Sequence, residues 1–230
     1  MADLIIEIEH DSKDLMNFFR EYIINNQIES SFIVKIKSED IKYEENKSNI
    51  DAKEFDYLKM AIYRKIAEEL PKYNAFLFHG SALYIDNKAI ILTGKSGVGK
   101  STHARLLKEY YNVHMINDDK PLIRIINDTP YVYGTPYNGK HHLSENVRKE
   151  LSDIINVNQS SNIKIEKLDK KISFNKLLFQ TYKPSNKNSL SKTLELLNKL
   201  NIYTDSYNLY CDISKQAADL TYSTIYETKH

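Results

Sequence analysis

One stretch of eight residues constrains the fold of this chain more than any other. Residues 94–101 read Gly-Lys-Ser-Gly-Val-Gly-Lys-Ser and match the Walker A pattern G-x-x-x-x-G-K-[ST] at every required position. The apolar run at 89–92 is typical of a buried strand, and residues 102–109 are typical of a helix. Strand, loop and helix therefore come in the order of a phosphate-binding loop.

The motif predicts a nucleotide site, because the backbone N–H groups of such a loop and the positive end of its helix point at one anion. Lys100 is expected to reach the β and γ phosphates, and Ser101 to bind a magnesium ion that bridges them. A glycine-rich turn that fits the pattern by chance is the alternative, and the strand and helix around the motif disfavour it. The expected ligands are ATP and Mg²⁺. The residues expected to bind the nucleotide are Gly94, Lys95, Ser96, Gly97, Val98, Gly99, Lys100, Ser101 and Thr102.

Composition argues against several other classes of function. The chain has 32 Lys and Arg against 31 Asp and Glu, so no overall field favours nucleic acid or a membrane surface. Its single cysteine, Cys211, cannot form an internal disulfide and is expected to be a small buried residue. There is no apolar run near the ~20 residues of a membrane span, and the first residues lack a basic, apolar leader pattern. We therefore expect a cytoplasmic enzyme without a nucleic-acid or membrane partner.

Hydrophobic periodicity predicts an α/β chain. Because the sequence shows no internal repeat or clear interdomain linker, we expect one domain, residues 1–230, with an amino-terminal section (1–75) packed on a core (76–230). The charged stretch 39–49 is expected to be an exposed loop or hairpin end. The predicted strands are 4–8, 32–36, 76–78, 82–85, 88–92, 113–116, 153–157, 163–166 and 207–211. The predicted helices are 14–25, 52–70, 102–109, 174–182, 190–200 and one that begins after Ser214.

Some of these segments also predict contacts. Strands 82–85 and 88–92 flank Asp86-Asn87 and should form a hairpin. Strands 153–157 and 163–166 are expected to pair with each other. In the helix at 190–200, the side chains of Leu194, Leu197 and Leu200 are expected to face inward.

The second feature that carries chemistry is the triplet Asn117-Asp118-Asp119 at the end of the strand 113–116. Phosphoryl transfer to a hydroxyl needs one carboxylate near the metal and one that accepts the hydroxyl proton. Two adjacent acids at a strand end, one helix and one strand beyond Lys100, can supply both. A solvated turn would be the better interpretation of this triplet in isolation, and its distance along the chain from the loop reverses that preference.

Taken together, three segments resemble the catalytic core of HPr kinase/phosphorylase. They are His79-Gly80-Ser81-Ala82, then residues 94–101, then Asn117-Asp118-Asp119, in this order and at about these separations. The resemblance covers roughly the middle of the chain and is much weaker in the first 70 residues. It implies an α/β fold with a P-loop kinase core of the HPr kinase / PEP carboxykinase type, in which helices flank a mixed sheet.

The resemblance also implies roles for individual residues. His79 would lie beside the transferred phosphate, and Lys100 would be the loop lysine. Ser101 and Asp118 would bind magnesium, and Asp119 would be the acid/base, although the two aspartates can exchange these roles. Family members form ring oligomers, which leaves homo-oligomerisation open, since no interface residues are recognisable in this sequence.

Two departures from the family pattern bear on the substrate. The family has Glu after the loop Lys-Ser, where this chain has Thr102, and residues 133–142 do not match its later glycine-rich segment. The stretch 133–142 resembles shorter HPr-kinase-like proteins of unassigned substrate, some of them associated with peptide modification. Its glycines and proline predict an irregular loop on which Lys140 and His141 can clamp a phosphate or an acidic substrate. An exposed basic loop is the alternative for the histidine.

The function predicted from the sequence is an ATP-dependent kinase that transfers the γ-phosphate to a hydroxyl. A serine of a peptide or small protein is the preferred acceptor. A kinase of a free small molecule, such as an amino acid or sugar, is one alternative. A non-catalytic nucleotide sensor or simple NTPase is the other, and the pair of acids argues against it.

Overall fold

The computed structural model describes residues 1–24, 28–49 and 51–227. The strands are β1 (Ile6–Glu9), β2 (Phe32–Lys35), β3 (Ala75–Leu77), β4 (Ser81–Ile85), β5 (Lys88–Thr93), β6 (His114–Asn117), β7 (Leu122–Ile126), β8 (Thr129–Tyr133), β9 (Arg148–Gln159), β10 (Lys164–Lys167) and β11 (Asp205–Cys211). The α-helices are α1 (Asp14–Phe18), α2 (Ser38–Lys47), α3 (Glu54–Glu69), α4 (Lys100–Tyr111), α5 (Lys170–Gln180), α6 (Lys187–Tyr203) and α7 (Lys215–Tyr222). Single 3-10 turns cover Arg20–Tyr22 and Leu70–Tyr73, and a π-helical turn covers Ser223–Glu227.

A mixed sheet with helices on both faces forms the core. Within the described residues it has nine strands, with β3, β7, β8, β9, β5, β4 and β6 in that order and β11 and β10 branching from β9. The long strand β9 pairs antiparallel with β8 and parallel with β5 and β11. Helices α4 and α7 pack on one face around Leu107 and Ala217, and α5 and α6 pack on the other around Leu177 and Leu197. The predicted mixed α/β sheet with flanking helices is therefore confirmed.

The amino-terminal section has a small sheet of its own, in which β1 and β2 are parallel. Its buried side chains belong to the same apolar cluster as Leu77, Leu122 and Tyr137 of the core. Polar bonds add to this contact, since the Tyr133 hydroxyl donates to Asp3 Oδ2 at 2.7 Å. The section therefore lies on the core through a shared apolar cluster, and the one-domain organisation stays a prediction.

Helix α2 replaces the exposed loop expected at 39–49. The Asp40 side chain accepts a hydrogen bond from Lys37 N at 2.9 Å, which caps the first turn. On the side facing α3, Arg64 binds the carboxylates of both Asp40 and Glu44. Glu44 is only 6% exposed. The prediction was wrong because ion pairs, rather than an apolar stripe, fix this helix, and a hydrophobic pattern does not detect them.

The strand pairing at the carboxyl-terminal end also differs from the prediction. The strands at 153–157 and 163–166 do not pair with each other, because β11 lies between β9 and β10. The turn after β9 directs the chain toward β11, since Ser160 N donates to Cys211 O at 2.9 Å. Strands β7 and β8 had no counterpart in the sequence interpretation, whereas the predicted β4–β5 hairpin is confirmed.

Three smaller expectations have clear outcomes. Ser214 caps α7, since its Oγ accepts from Ala217 N at 3.4 Å, and Cys211 is buried. Leu197 and Leu200 are buried as expected, but Leu194 is 37% exposed and Leu196 takes the inward position instead.

No helix in the described ranges is long and apolar enough to cross a membrane.

Candidate active site around the phosphate-binding loop

The loop between β5 and α4 has the backbone that its glycines permit. Gly97 and Gly99 have φ angles of +77° and +101°, a region that side chains with a Cβ rarely adopt. A Cβ atom at either position would meet no atom within 4 Å, so the need for glycine comes from the backbone angle alone. Helix α4 begins at Lys100, directly after Gly99. The amino-terminal end of a three-turn helix therefore faces the space above the loop.

Lys100 folds back over this loop. Its Nζ donates to the carbonyl oxygens of Gly94 at 3.0 Å and Lys95 at 3.1 Å. Burial lowers the pKa of Lys100, and the nearby charge of Asp119 offsets only part of that effect. A lysine held at this point by exchangeable carbonyl contacts can turn toward a phosphate.

Asn117 shapes the turn that carries the two acids. This residue is completely buried, and its Nδ2 donates to the carbonyl oxygen of Thr135 at 3.0 Å. Its Oδ1 accepts from the backbone N–H groups of Asp119 at 2.9 Å and Lys120 at 2.6 Å. Asn117 thus fixes the direction of both aspartates. Sequence reasoning gave it no role, although an Asn at a strand end that bonds its own backbone two residues on is a known turn signal.

Asp119 lies between two nitrogen groups. His79 Nδ1 is 3.0 Å from its Oδ1, and Lys120 Nζ is 3.4 Å from its Oδ2. Burial by itself would raise the pKa of Asp119. The hydrogen bond from His79 and the charge of Lys120 outweigh it, so the pKa lies below its ordinary value. Asp119 is therefore ionised near neutral pH, as a proton acceptor must be.

Asp118 contacts the loop segment 139–143. Its Oδ1 accepts from Gly139 N at 2.6 Å, and its backbone N donates to Leu143 O at 3.0 Å. These bonds bring the 139–143 segment, with Lys140 and His141, over the end of β6. A Cβ on Gly139 would lie 3.2 Å from Asp118 Oδ2, so a larger residue here would displace that carboxylate by a few tenths of an ångström.

The donor set at Ser101 and Asp118 fits magnesium. In the described part of the chain no group of three or more His, Cys, Asp or Glu side chains could hold a metal. Magnesium in phosphoryl-transfer sites commonly takes only one or two protein oxygens, and phosphate and water oxygens complete its octahedron. A hydroxyl and a carboxylate on the wall of one cavity match this requirement.

The backbone of His79 is held between the end of helix α5 and the end of strand β5. Its N–H donates to Gln180 O at 2.8 Å, and its carbonyl accepts from Thr93 Oγ1 at 3.2 Å. The next residue, Gly80, packs so closely on β5 that a Cβ would lie 2.6 Å from Ile91 Cγ2. This contact fixes His79 beside the start of the loop.

One cavity of about 420 Å³, here called the loop cavity, brings most of the predicted site residues together. The predicted residues on its wall are His79, Ser96, Gly97, Gly99, Lys100, Ser101, Thr102, Asp118, Asp119, Lys140 and His141. Gly94 and Lys95 lie outside the wall and contact Lys100 through their carbonyls. Val98 lines a neighbouring cavity.

Two further cavities adjoin the loop cavity. The first, the Arg105 cavity, has a volume of about 560 Å³ and shares Ser101, Asp118 and His141 with the loop cavity. The second, the Ser160 cavity, has a volume of about 470 Å³ and shares Gly99 and Thr102. The loop cavity thus continues into two neighbouring cavities.

Comparisons with known proteins add little to this geometry. The chain matches no family model, and no curated protein matches it. Among solved structures it is similar to the Hpr(Ser) kinase/phosphatase from Coxiella burnetii, with 11% identity, a TM-score of 0.39, and coverage of 67% of this chain and 99% of that one. This likeness is distant and carries no argument about what the chain binds or does.

Proposed function

We propose that the protein is an ATP-dependent kinase that transfers the γ-phosphate to a hydroxyl group, with a serine of a peptide or small protein as the preferred acceptor. One observation carries the proposal. The glycine loop with Lys100, the pair Asp118 and Asp119, and His79 line a single cavity at the amino-terminal end of α4. A nucleotide sensor would need the loop and one carboxylate near the metal, whereas transfer to a hydroxyl also needs a second carboxylate that accepts the proton.

The charges in this cavity suit an in-line phosphoryl transfer. The loop N–H groups and Lys100 would hold the β and γ phosphates, with His79 and Lys140 beside the transferring group. When bound, Mg²⁺ on Ser101 and Asp118 would neutralise charge that develops on the phosphate oxygens. The nucleoside would extend into the Ser160 cavity, because the wall of the Arg105 cavity includes Asp118 and that of the Ser160 cavity includes neither Asp118 nor Asp119.

Asp119 would accept the proton of the acceptor hydroxyl. As that oxygen forms its bond to the γ phosphorus, the bond to the β–γ bridging oxygen breaks, and ADP leaves with the electron pair. The lowered pKa of Asp119, which results from His79 and Lys120 outweighing burial, keeps the carboxylate ionised for this step. Asp118 can take the same part if the acceptor enters from its side.

The size of the Arg105 cavity supports a second candidate acceptor. A volume of about 560 Å³ admits one side chain with its neighbours or a whole small metabolite. A kinase of a free hydroxylated metabolite would use the same residues for the chemistry. The two candidates differ in acceptor alone.

Replacing Lys100 tests the kinase proposal. With γ-labelled ATP and mixed pools of serine peptides and hydroxylated metabolites, Lys100→Ala should lower transfer about 100-fold or more, because a preorganised cation at the phosphates is lost. Lys88→Ala, at the other end of β5, is the matched control and should retain full transfer. Unchanged transfer in Lys100→Ala, or ATP hydrolysis by the natural protein without any labelled acceptor, would contradict the proposal.

A further inference from the structure

The wall of the Arg105 cavity carries two cations from one helix. Arg105 and Lys108 are three residues apart on α4, so their side chains lie on the same face. Both side chains are exposed. Within the described residues neither has a hydrogen-bond or ion-pair partner. Two cations thus face the cavity without an acid that neutralises them directly.

Other side chains also line the Arg105 cavity and affect its charge and polarity. Glu109 also lines the cavity and offsets one of the two positive charges. Met115 and Leu143 provide an apolar surface. His141 adds a ring nitrogen that can donate a hydrogen bond. The wall as a whole thus carries two cations and two carboxylates, Glu109 and Asp118, and neither Arg105 nor Lys108 forms an ion pair with either acid.

The position of these two cations relative to the reacting groups indicates which ligand they would bind. The Arg105 cavity meets the loop cavity at Ser101, Asp118 and His141, so an acceptor bound in it can extend its hydroxyl into the loop cavity, where Asp119 lies. The wall of the Ser160 cavity, by contrast, is mostly neutral, with Ser160, Ser161 and Gln159 among its residues. The two cations thus lie on the acceptor side.

We propose that the acceptor is anionic and carries a carboxylate or similar negative group beside its reactive hydroxyl, which Arg105 and Lys108 bind. This inference rests on the proposed kinase function and names the chemical class of its substrate. A negative acceptor that approaches a triphosphate is repelled by it, and two nearby cations reduce that repulsion. The acceptor can be an acidic serine peptide or a small hydroxy acid, since both present the same groups.

Matched pairs of acceptors test the inference. One pair is a serine peptide flanked by glutamate and the same peptide flanked by glutamine. The other pair is glycerate and glycerol. The acidic member of at least one pair should be the better substrate by about tenfold in kcat/KM, since each exposed ion pair contributes a few-fold. The pair that shows the preference identifies the source, and the preference should shrink as salt is added.

Charge-removing variants assign the preference to residues. Arg105→Gln and Lys108→Gln should each lower kcat/KM for the acidic acceptor about threefold and leave the KM for ATP and the use of the neutral acceptor unchanged. Lys42→Gln removes an exposed cation of α2 and is the matched control. Thermal unfolding of each variant excludes a loss of fold.

The outcomes separate this inference from the kinase proposal. Equal use of acidic and neutral acceptors, with transfer that still depends on Lys100, would overturn the anionic acceptor and leave the kinase standing. An equal effect of Arg105→Gln on the KM for ATP would assign these cations to the nucleotide and also overturn it. Absence of transfer to every acceptor would overturn both.

Discussion

At the scale of single residues, the two adjacent aspartates have different partners. Asp119 binds His79 and Lys120, whereas Asp118 binds the backbone of Gly139. Only Asp118 also lines the Arg105 cavity. Neighbours in sequence therefore have separate environments, so their roles can be separated experimentally.

We predict that Asp119→Asn and Asp118→Asn impair different steps. Asp119→Asn should lower kcat about 100-fold with an unchanged magnesium requirement, because a proton acceptor is lost. Asp118→Asn should raise the magnesium concentration for half-maximal activity about tenfold or more, because a ligand is weakened. Titration of activity with Mg²⁺ measures both effects.

Asp128→Asn is a suitable control, since Asp128 lies in the β7–β8 turn and pairs with Lys199 at 3.1 Å. The reverse result, a magnesium defect only in Asp119→Asn, would exchange the two roles. If both variants turn over like the natural protein, neither acid takes part in transfer.

At the scale of elements, the contact between α4 and α7 contains a buried histidine. His103 is 2% exposed, and its Nε2 lies 2.9 Å from Thr221 Oγ1. The Thr221 hydroxyl donates to Ala217 O at 3.1 Å, so its oxygen accepts from a neutral His103. Burial lowers the pKa of His103 to about 4. The helix that follows the glycine loop is thus anchored by an imidazole that must stay uncharged.

This anchor predicts a loss of stability in acid. The unfolded chain takes up a proton at His103 as the pH falls through about 6.5, and the folded chain does so only near pH 4. The contribution is therefore complete above about pH 6.5 and falls by about 3 kcal/mol toward pH 4. Urea unfolding of the natural protein and of His103→Gln across this range measures it. An identical pH slope in both proteins would rule out this origin.

The elements also show what sequence patterns could and could not predict. The loop, α4 and the β4–β5 hairpin are specified by neighbours in sequence, namely the glycines, Ser101 and the Asp86-Asn87 turn, and they were predicted well. Helix α2 depends on Arg64, twenty positions beyond Glu44, and strand order depends on β11 lying beside β9. These partners are distant in sequence, so a local hydrophobic pattern cannot predict that they will be in contact.

The residues of the candidate site also fall into two groups, those that the sequence predicts and those that only the fold reveals. The motif and the strand-end acids identify Lys100, Ser101, Asp118 and Asp119 from the sequence. The sequence did not indicate a role for the buried amide of Asn117 or for the cations Arg105 and Lys108, because only the fold shows which groups surround them. On a helix face, a cation beside a cavity and a cation in bulk water have the same sequence pattern.

At the scale of the whole molecule, the amino-terminal section and the core share one apolar cluster. Leu70 in the turn after α3 is completely buried in that cluster, together with Leu77 and Leu122 of the core sheet. A cluster built from both parts couples their stabilities.

We predict that Leu70→Ala destabilises the whole chain by about 2–5 kcal/mol, because it leaves a cavity between the two parts. Hydrogen exchange followed by mass spectrometry should show equal loss of protection in α3 and in β5. Loss of protection in α3 alone would mean that the section unfolds independently, which would contradict the one-domain organisation.

The late position of strand β9 in the chain affects how the protein folds during synthesis. This strand supplies the partner edge for β5, which leads into the glycine loop, yet it lies some sixty residues later in the chain. During synthesis the loop, α4 and β6 leave the ribosome well before this edge exists, and closing so large a loop is slow. The nascent chain must therefore carry a half-paired β5 until β9 arrives, and an apolar strand such as Ile90–Ile91–Leu92 is exposed to chaperones and to misassociation in that interval.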